Sequence, residues 1–336
     1  MNKIRFLFIL AAILLYHGSA LSKDINWDKV SSQKIALFYP GVASWEFLTS
    51  DDHRLGGRNI KEGKKSCPEC HLSKSGEFDL RAEDIAAGKL KMKQSQKSFE
   101  PEPLSGKKGF INLNLQAAYD EEYIYMRLQW ESTGASWNNP KVAEEGLADR
   151  VAIQLSKGQD YFQRYGCFIS CHNDLNSMPD SPSKDEVRKH PYYSSLKRED
   201  IRLYAYYTRN NGWAGIKSDD ELKKLLKEGW LIDLWKVEFK GKEVELEDGW
   251  IFNDRRDDDK KDIIADSTWD GGKYTVVMKR KLNTGDLQDV QLKEGEGVAI
   301  GIAIHDNKTN HRKHYISFPM IIGLGAKGDI KAEKIK

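Results

Sequence analysis

The chain has 336 residues, with 53 Lys and Arg against 51 Asp and Glu. This near-balance excludes the basic footprint of a nucleic-acid-binding protein. Nothing after the first twenty residues is long and apolar enough to span a bilayer as a helix, and a chain of this length buries a large core, as one large domain or a large one with a small appendage.

Residues 1–20 carry Lys3 and Arg5, an apolar run from Phe6 to Tyr16, and then Gly18-Ser19-Ala20. These are the charged region, apolar region and small-residue cleavage site of a secretory signal. The expectation is a soluble periplasmic protein that starts near Leu21. Its removal takes two bases and no acid, leaving 51 charges of each sign.

Residues 21–105 are poor in regular patterning. They hold Leu37-Phe38-Tyr39-Pro40, His53, Gly56-Gly57 and then Cys67-Pro68-Glu69-Cys70-His71. Two Cys separated by two residues and followed at once by His form the attachment signature of c-type haem. The thiols add across the two vinyl groups, and the adjacent imidazole faces the iron. Residues 82–90 suit a short helix, and Pro101, Pro103 and Gly106 read as a connector.

From Gly109 the pattern turns to period two. Residues 110–115 and 123–130 alternate around the acidic break Asp120-Glu121-Glu122, which suits a hairpin. Residues 150–155 are a further strand. Next comes Gly166-Cys167-Phe168-Ile169-Ser170-Cys171-His172, a second attachment motif with one extra residue between its cysteines. Residues 201–208 are ambiguous between helix and strand, and 219–228 form a short amphipathic helix. Residues 230–239 form a strand, and 240–261 an exposed, charged hairpin or loop. Residues 274–282, 298–305 and 314–318 are the last strands. Many short strands with few helices predict a mainly β protein, an antiparallel sandwich over residues 106–336. The segment 21–105 is then an irregular, short-helical haem segment.

The two motifs use all four cysteines. A Cys₄ zinc site or two disulfides would use the same thiols, yet neither requires a His directly after each pair. The expected cofactors are therefore two covalently attached haems c, held by Cys67, Cys70, Cys167 and Cys171, with His71 and His172 on the irons.

An electron carrier closes the other face of each iron with a second strong ligand. Of eight His, one leaves with the signal and two are proximal. His53 lies fourteen residues before Cys67, beside Gly56-Gly57, and is the candidate for the first iron. His305 ends an apolar strand, a rigid place from which to aim an imidazole, and is the candidate for the second. His314 and Met178 are its rivals. His190 and His311 stand beside Lys or Arg and read as solvated, and Met126 alternates into the core. Trp130, Trp235, Tyr204, Tyr206 and Trp269 read as sandwich packing or haem-pocket lining.

Residues 109–319 resemble the haem-binding domain of the ethylbenzene dehydrogenase-related and dimethylsulfoxide-reductase-like cytochromes. The resemblance is carried by Ala118-Tyr119-Asp120, Tyr123-Ile124-Tyr125-Met126-Arg127-Leu128-Gln129-Trp130, the second motif through Asn173-Asp174, and Met178-Pro179. Leu234-Trp235-Lys236, residues 276–282, Gly301-Ile302-Ala303-Ile304-His305-Asp306 and His314-Tyr315-Ile316-Ser317-Phe318-Pro319 follow in order. It implies a β-sandwich that holds a haem and passes electrons, often for a molybdenum enzyme. Some members hold haem b through a Met and a Lys; this sequence differs in its Cys-x-x-x-Cys-His attachment and its extra N-terminal haem segment.

Two functions are consistent with these features. One is a periplasmic di-haem cytochrome serving redox proteins, among them a molybdoenzyme or a quinol-oxidising complex. The alternative is a haem enzyme, of peroxidase or small nitrogen- or sulfur-oxide reductase type, with one open iron. The supply of His favours the carrier, with no catalytic residue assigned. A haem-based sensor would need an output domain, and none is legible.

Overall fold

The computed structural model describes residues 25–39, 41, 48–75, 77–78, 80–87, 89, 104–170, 183–195, 197, 199, 207–210, 215–309 and 313–336. The protein is mainly β. Its strands are β1 (Ser32–Phe38), β2 (Phe110–Tyr119), β3 (Tyr123–Glu131), β4 (Arg150–Ser156), β5 (Arg209–Asn210), β6 (Gly215–Ile216), β7 (Ile232–Lys240) and β8 (Glu243–Ile251). They continue with β9 (Arg255–Asp257), β10 (Ile264–Asp270), β11 (Lys273–Lys281), β12 (Glu296–His305), β13 (Tyr315–Ile316), β14 (Met320–Leu324) and β15 (Ile330–Lys334).

One sheet runs in the order β10-β11-β3-β2-β1-β13-β12-β4-β7-β8-β9 and folds over itself into two layers. The strands β14 and β15 join the layers a second time, linking β12 to β2. Most pairings are antiparallel, as expected, but β14–β15 and β15–β2 are parallel. Glycines permit that close crossing: a Cβ on Gly323 would lie 2.2 Å from the Ala326 carbonyl, and one on Gly328 2.7 Å from the Gly323 nitrogen.

Alternation places the core. On β3 and β11, Met126, Leu128, Trp130, Tyr274, Val276 and Met278 point inward. From the other layer, Val151, Ile153, Trp235, Val237, Ile300, Ile302 and Ile304 meet them. Met126 is therefore core, and Trp130 and Trp235 are among its largest fully buried side chains. Trp269 is partly buried and donates its indole N–H to the Ser132 carbonyl at 3.0 Å.

Two expectations need correction. Segment 21–105 is not separate from the sheet, because β1 pairs with β2 along its whole length and with β13 at Phe38–Ile316. Residues 240–261 take the hairpin alternative rather than the loop, but the hairpin is not an exposed one. They form β8 and β9, and Val244, Leu246, Asp248 and Trp250 share one face of β8, the apolar ones packed on the core. Asp248, fully buried, breaks the apolar run and disguises the alternation. The amphipathic helix falls at Asp219–Lys227, started by a Ser218–Glu221 capping box. Residues 201–206 of the ambiguous stretch lie outside the described residues.

Candidate haem sites

A second apolar cluster lies on the outer face of β12, β4 and β7, away from the core. Ala299, Ala303, Ile316, Ile232 and Ile251 contribute to it, together with Phe38, Phe162, Tyr165, Cys167, Phe168, Ile169 and Phe318. Both attachment motifs pack here.

The first motif is a short helix. We call Leu55–Lys61 α1 and Cys67–His71 α2. Ser66 and Glu69 form a capping box and Pro68 sits in the first turn, so the local sequence starts the helix at Cys67. Helical spacing then puts Cys67, Cys70 and His71 on one side. Burial of its sulfur pushes the Cys67 thiol up to about 12, so a thioether there replaces an uncharged group.

His53 stands opposite. Its ring centroid is 6.1 Å from that of His71, with the two planes within 7°. Two imidazole nitrogens bound about 2 Å from one metal put the ring centroids about 6 Å apart. The Nδ1 of His53 is 2.8 Å from the Leu48 carbonyl. A carbonyl only accepts, so Nδ1 carries the proton and Nε2 presents the lone pair, the tautomer a metal-binding His adopts. Burial, the largest influence, lowers the His53 pKa; the Leu48 contact opposes it, and His71 lowers it further. Gly56 matters through contact: a Cβ there would lie 2.6 Å from His53 Nε2. A cleft of about 580 Å³ runs beside α2, lined by Pro68, Leu72, Phe78, Phe318 and Met320. The donor set and its spacing fit a haem iron held by two imidazoles.

The second motif begins in α4 (Cys167–Ser170), which directly follows α3 (Asp160–Tyr165) and the left-handed turn at Gly166, where φ is +56°. Cys167, Phe168, Ile169 and Ser170 are buried. Ser170 Oγ lies 2.5 Å from Gln154 Oε1 on β4, which anchors the turn to the sheet. A Cβ at Gly301 would lie 2.9 Å from Cys167 Sγ, so β12 is bare where the motif sits on it. Gly301→Val should therefore lower the covalent haem per chain, counted by haem stain against protein. Unchanged stoichiometry would show that the motif tolerates the displacement.

Cys171, His172 and Met178 lie outside the described residues, as do Tyr204, Tyr206 and His311. His305 and His314 are neighbours across β12 and the start of β13, with ring centroids 4.4 Å apart. That is too close for the pair to hold one iron from opposite sides, as two axial ligands of one haem would. His305 shares the outer face with Gly301 and Ala303 by strand parity. Buried Asp149 pins the loop after it, accepting from Tyr274 Oη at 2.9 Å and from the Asn307 N–H at 2.7 Å. The same face carries half-buried pairs, Arg150 with Glu238 at 3.2 Å and Lys236 with Glu247. His190 is not fully solvated; it is half-buried with its ring 5.3 Å from Tyr193.

The two motifs touch through a shared frame. Tyr165 Oη is 3.4 Å from the Ile60 carbonyl and 3.5 Å from that of Lys65. Arg164 donates to the Gly63 carbonyl. Phe318 stands 6.3 Å from His71 and 5.1 Å from Phe38, which stacks on Phe168 at 5.9 Å. This aromatic bridge was not read from the sequence, because its members are far apart in the chain.

Residues 24–317 match the model of the family described as ethylbenzene dehydrogenase. The chain belongs to the ethylbenzene dehydrogenase family. The chain is 29% identical to cytochrome c-552 of Stutzerimonas stutzeri over 321 residues, covering 95% of this chain and 94% of that one. It is 24% identical to cytochrome c-551 of Rhodocyclus tenuis over 310 residues, covering 92% and 99%. Among solved structures, a carbohydrate binding module of family 9 from Caldicellulosiruptor kristjanssonii in complex with glucose is 8% identical. The match covers 62% of this chain and 66% of that one, with a TM-score of 0.27, and the fold described above rests on strand pairing instead. Among the described residues no helix is long and apolar enough to cross a membrane.

Proposed function

We propose that this protein is an exported di-haem c-type cytochrome that carries electrons between redox partners in the periplasm. The observation that carries the reading is the His53–His71 pair, spaced for one iron and set in the binding tautomer. Haem c, when bound, supplies a one-electron iron couple. Cys67 and Cys70 would attach the first, and His71 and His53 would both hold its iron, leaving no place for a substrate. Cys167 and Cys171 would attach the second, with His172 and His305 as the residues that would hold its iron. Cys167 sits on Gly301, and His305 lies four residues further, about 13 Å along the strand.

The aromatic bridge supports exchange between the two sites. Phe318 contacts His71, and Phe38 links Phe318 to the second motif. The buried contacts keep water out, which limits reorganisation when charge moves. A molybdoenzyme or a quinol-oxidising complex is the class of redox partner proposed for it.

The test is a spectrum and a count. Denatured protein should retain two haems per chain, and the oxidised native protein should be entirely low-spin. One haem per chain, or zinc in proportion to the cysteines, would remove the di-haem assignment. A high-spin fraction that binds cyanide readily would replace the carrier by an enzyme with an open iron.

A further inference from the structure

Inside one end of the sandwich, ionisable side chains from both layers meet. Arg280 on β11 faces inward and is 0% exposed. Asp233 on β7 and Asp248 on β8 are also 0% exposed, and Asp289, between β11 and β12, is 4% exposed. Arg280 Nη1 donates to Asp233 Oδ2 and, at 3.0 Å, to Asp289 Oδ1. The Val290 N–H reaches Asp233 Oδ2 at 2.9 Å. Asp248 Oδ2 accepts from the Asp262 and Ile263 N–H groups at 3.0 and 3.3 Å.

Each carboxylate thus spends one oxygen on the protein. The other three, Asp233 Oδ1, Asp248 Oδ1 and Asp289 Oδ2, are buried and have no hydrogen-bond partner. One ligand oxygen from each residue lies within 4.8 Å of the other two. When all three carboxylates are ionised, one guanidinium leaves two negative charges in the interior. The nearby Lys260 is exposed and engaged with Asp286 at 2.8 Å. Buried charge without a counter-ion is expensive, and buried carboxylates are paired or hold metal.

We propose that Asp233, Asp248 and Asp289 bind one divalent cation of the calcium class through an oxygen of each. The donors are all hard oxygens, with no nitrogen or sulfur, which suits calcium rather than zinc or copper. Calcium reaches its ligands at about 2.3–2.6 Å, so a set of oxygens within 4.8 Å of one another can share one ion, whereas magnesium dehydrates reluctantly and suits a buried cage of protein oxygens less. Asp262 Oδ1, also buried without a partner, adds to the negative potential beside the cluster. The two positive charges cancel the two left over beside Arg280. The ion would tie β7 and β8 of one layer to the β11–β12 connection of the other, beneath the strands whose outer face carries the second motif.

The test uses the intact holoprotein. Elemental analysis should find about one calcium per two irons, and a chelator should remove it. Re-adding calcium at a hundredfold excess over its dissociation constant should raise the melting midpoint by about 5 °C, with magnesium doing much less. Asp248→Asn, which keeps both Arg280 contacts, should fold, lack the calcium and show no calcium-dependent shift. Wild-type protein without calcium, whose melt is the same with chelator and with added calcium, would overturn the proposal. So would an Asp248→Asn protein that retains calcium.

Discussion

In the His53→Ala protein the first haem turns high-spin and, once reduced, binds carbon monoxide, while the second keeps its spectrum. The expectation follows from the spacing of His53 and His71, 6.1 Å between ring centroids, which allows one iron between them. Half of the low-spin signal should disappear, because one of two proposed irons loses a ligand. Imidazole added to the solution should restore it by filling the gap in the cleft. His53→Met should stay six-coordinate and move to a higher potential, since a thioether favours the reduced iron. Gly56→Ala should reproduce part of the effect, because the added methyl meets the ring. Two unchanged low-spin haems in His53→Ala would take His53 out of the site.

Arg280→Met should be the most destabilising single change in the sandwich. The side chain bridges Asp233 and Asp289, and its guanidinium lies 4.7 Å from the Trp235 ring. Methionine keeps much of the volume but leaves the carboxylates without their cation. Removing one partner of a buried ion pair costs about 3–5 kcal/mol. Equilibrium unfolding in urea should show the midpoint falling by about 1 M or more. Adding Asp233→Asn to Arg280→Met should recover part of the loss, because it removes one stranded charge. A loss below about 1 kcal/mol would mean that the carboxylates are neutral in the fold and that the pair does not hold the layers together.

The strands most legible in the sequence are those with one dry face and one wetter face. On β11, burial alternates residue by residue, and the apolar pattern follows it. The missed strands break that rule for physical reasons. β1 has Ile35 and Leu37 in the core but Phe38 in the outer cluster, so its end is buried on both faces and loses its alternation. β10 is an edge strand with no fully buried residue, and its sequence carries no apolar stripe. β14 is a short apolar run, which periodicity cannot tell from a turn of buried helix.

The first candidate site was legible because its chemistry is local: two thiols, a His beside them and a second His a short loop away. The rest of the site depends on tertiary contact. Phe38, Phe78 and Phe318 come together only after the sheet has formed. The acidic cluster was hidden by composition, because Asp248 reads as one more charge in an acidic stretch. Inward parity with Leu246 and Trp250 on β8 is the signal that finds it.

The place of β1 in the sheet also bears on how the protein is made. This strand precedes both attachment motifs, yet it pairs with β13, which follows both. The sheet therefore cannot close until nearly the whole chain has been delivered. Pairings this distant in sequence make folding slow, because loop entropy is spent before any contact repays it. That delay is useful to the maturation machinery: both cysteine pairs stay accessible as flexible peptide, and Cys167 is sealed against Gly301 only at the end.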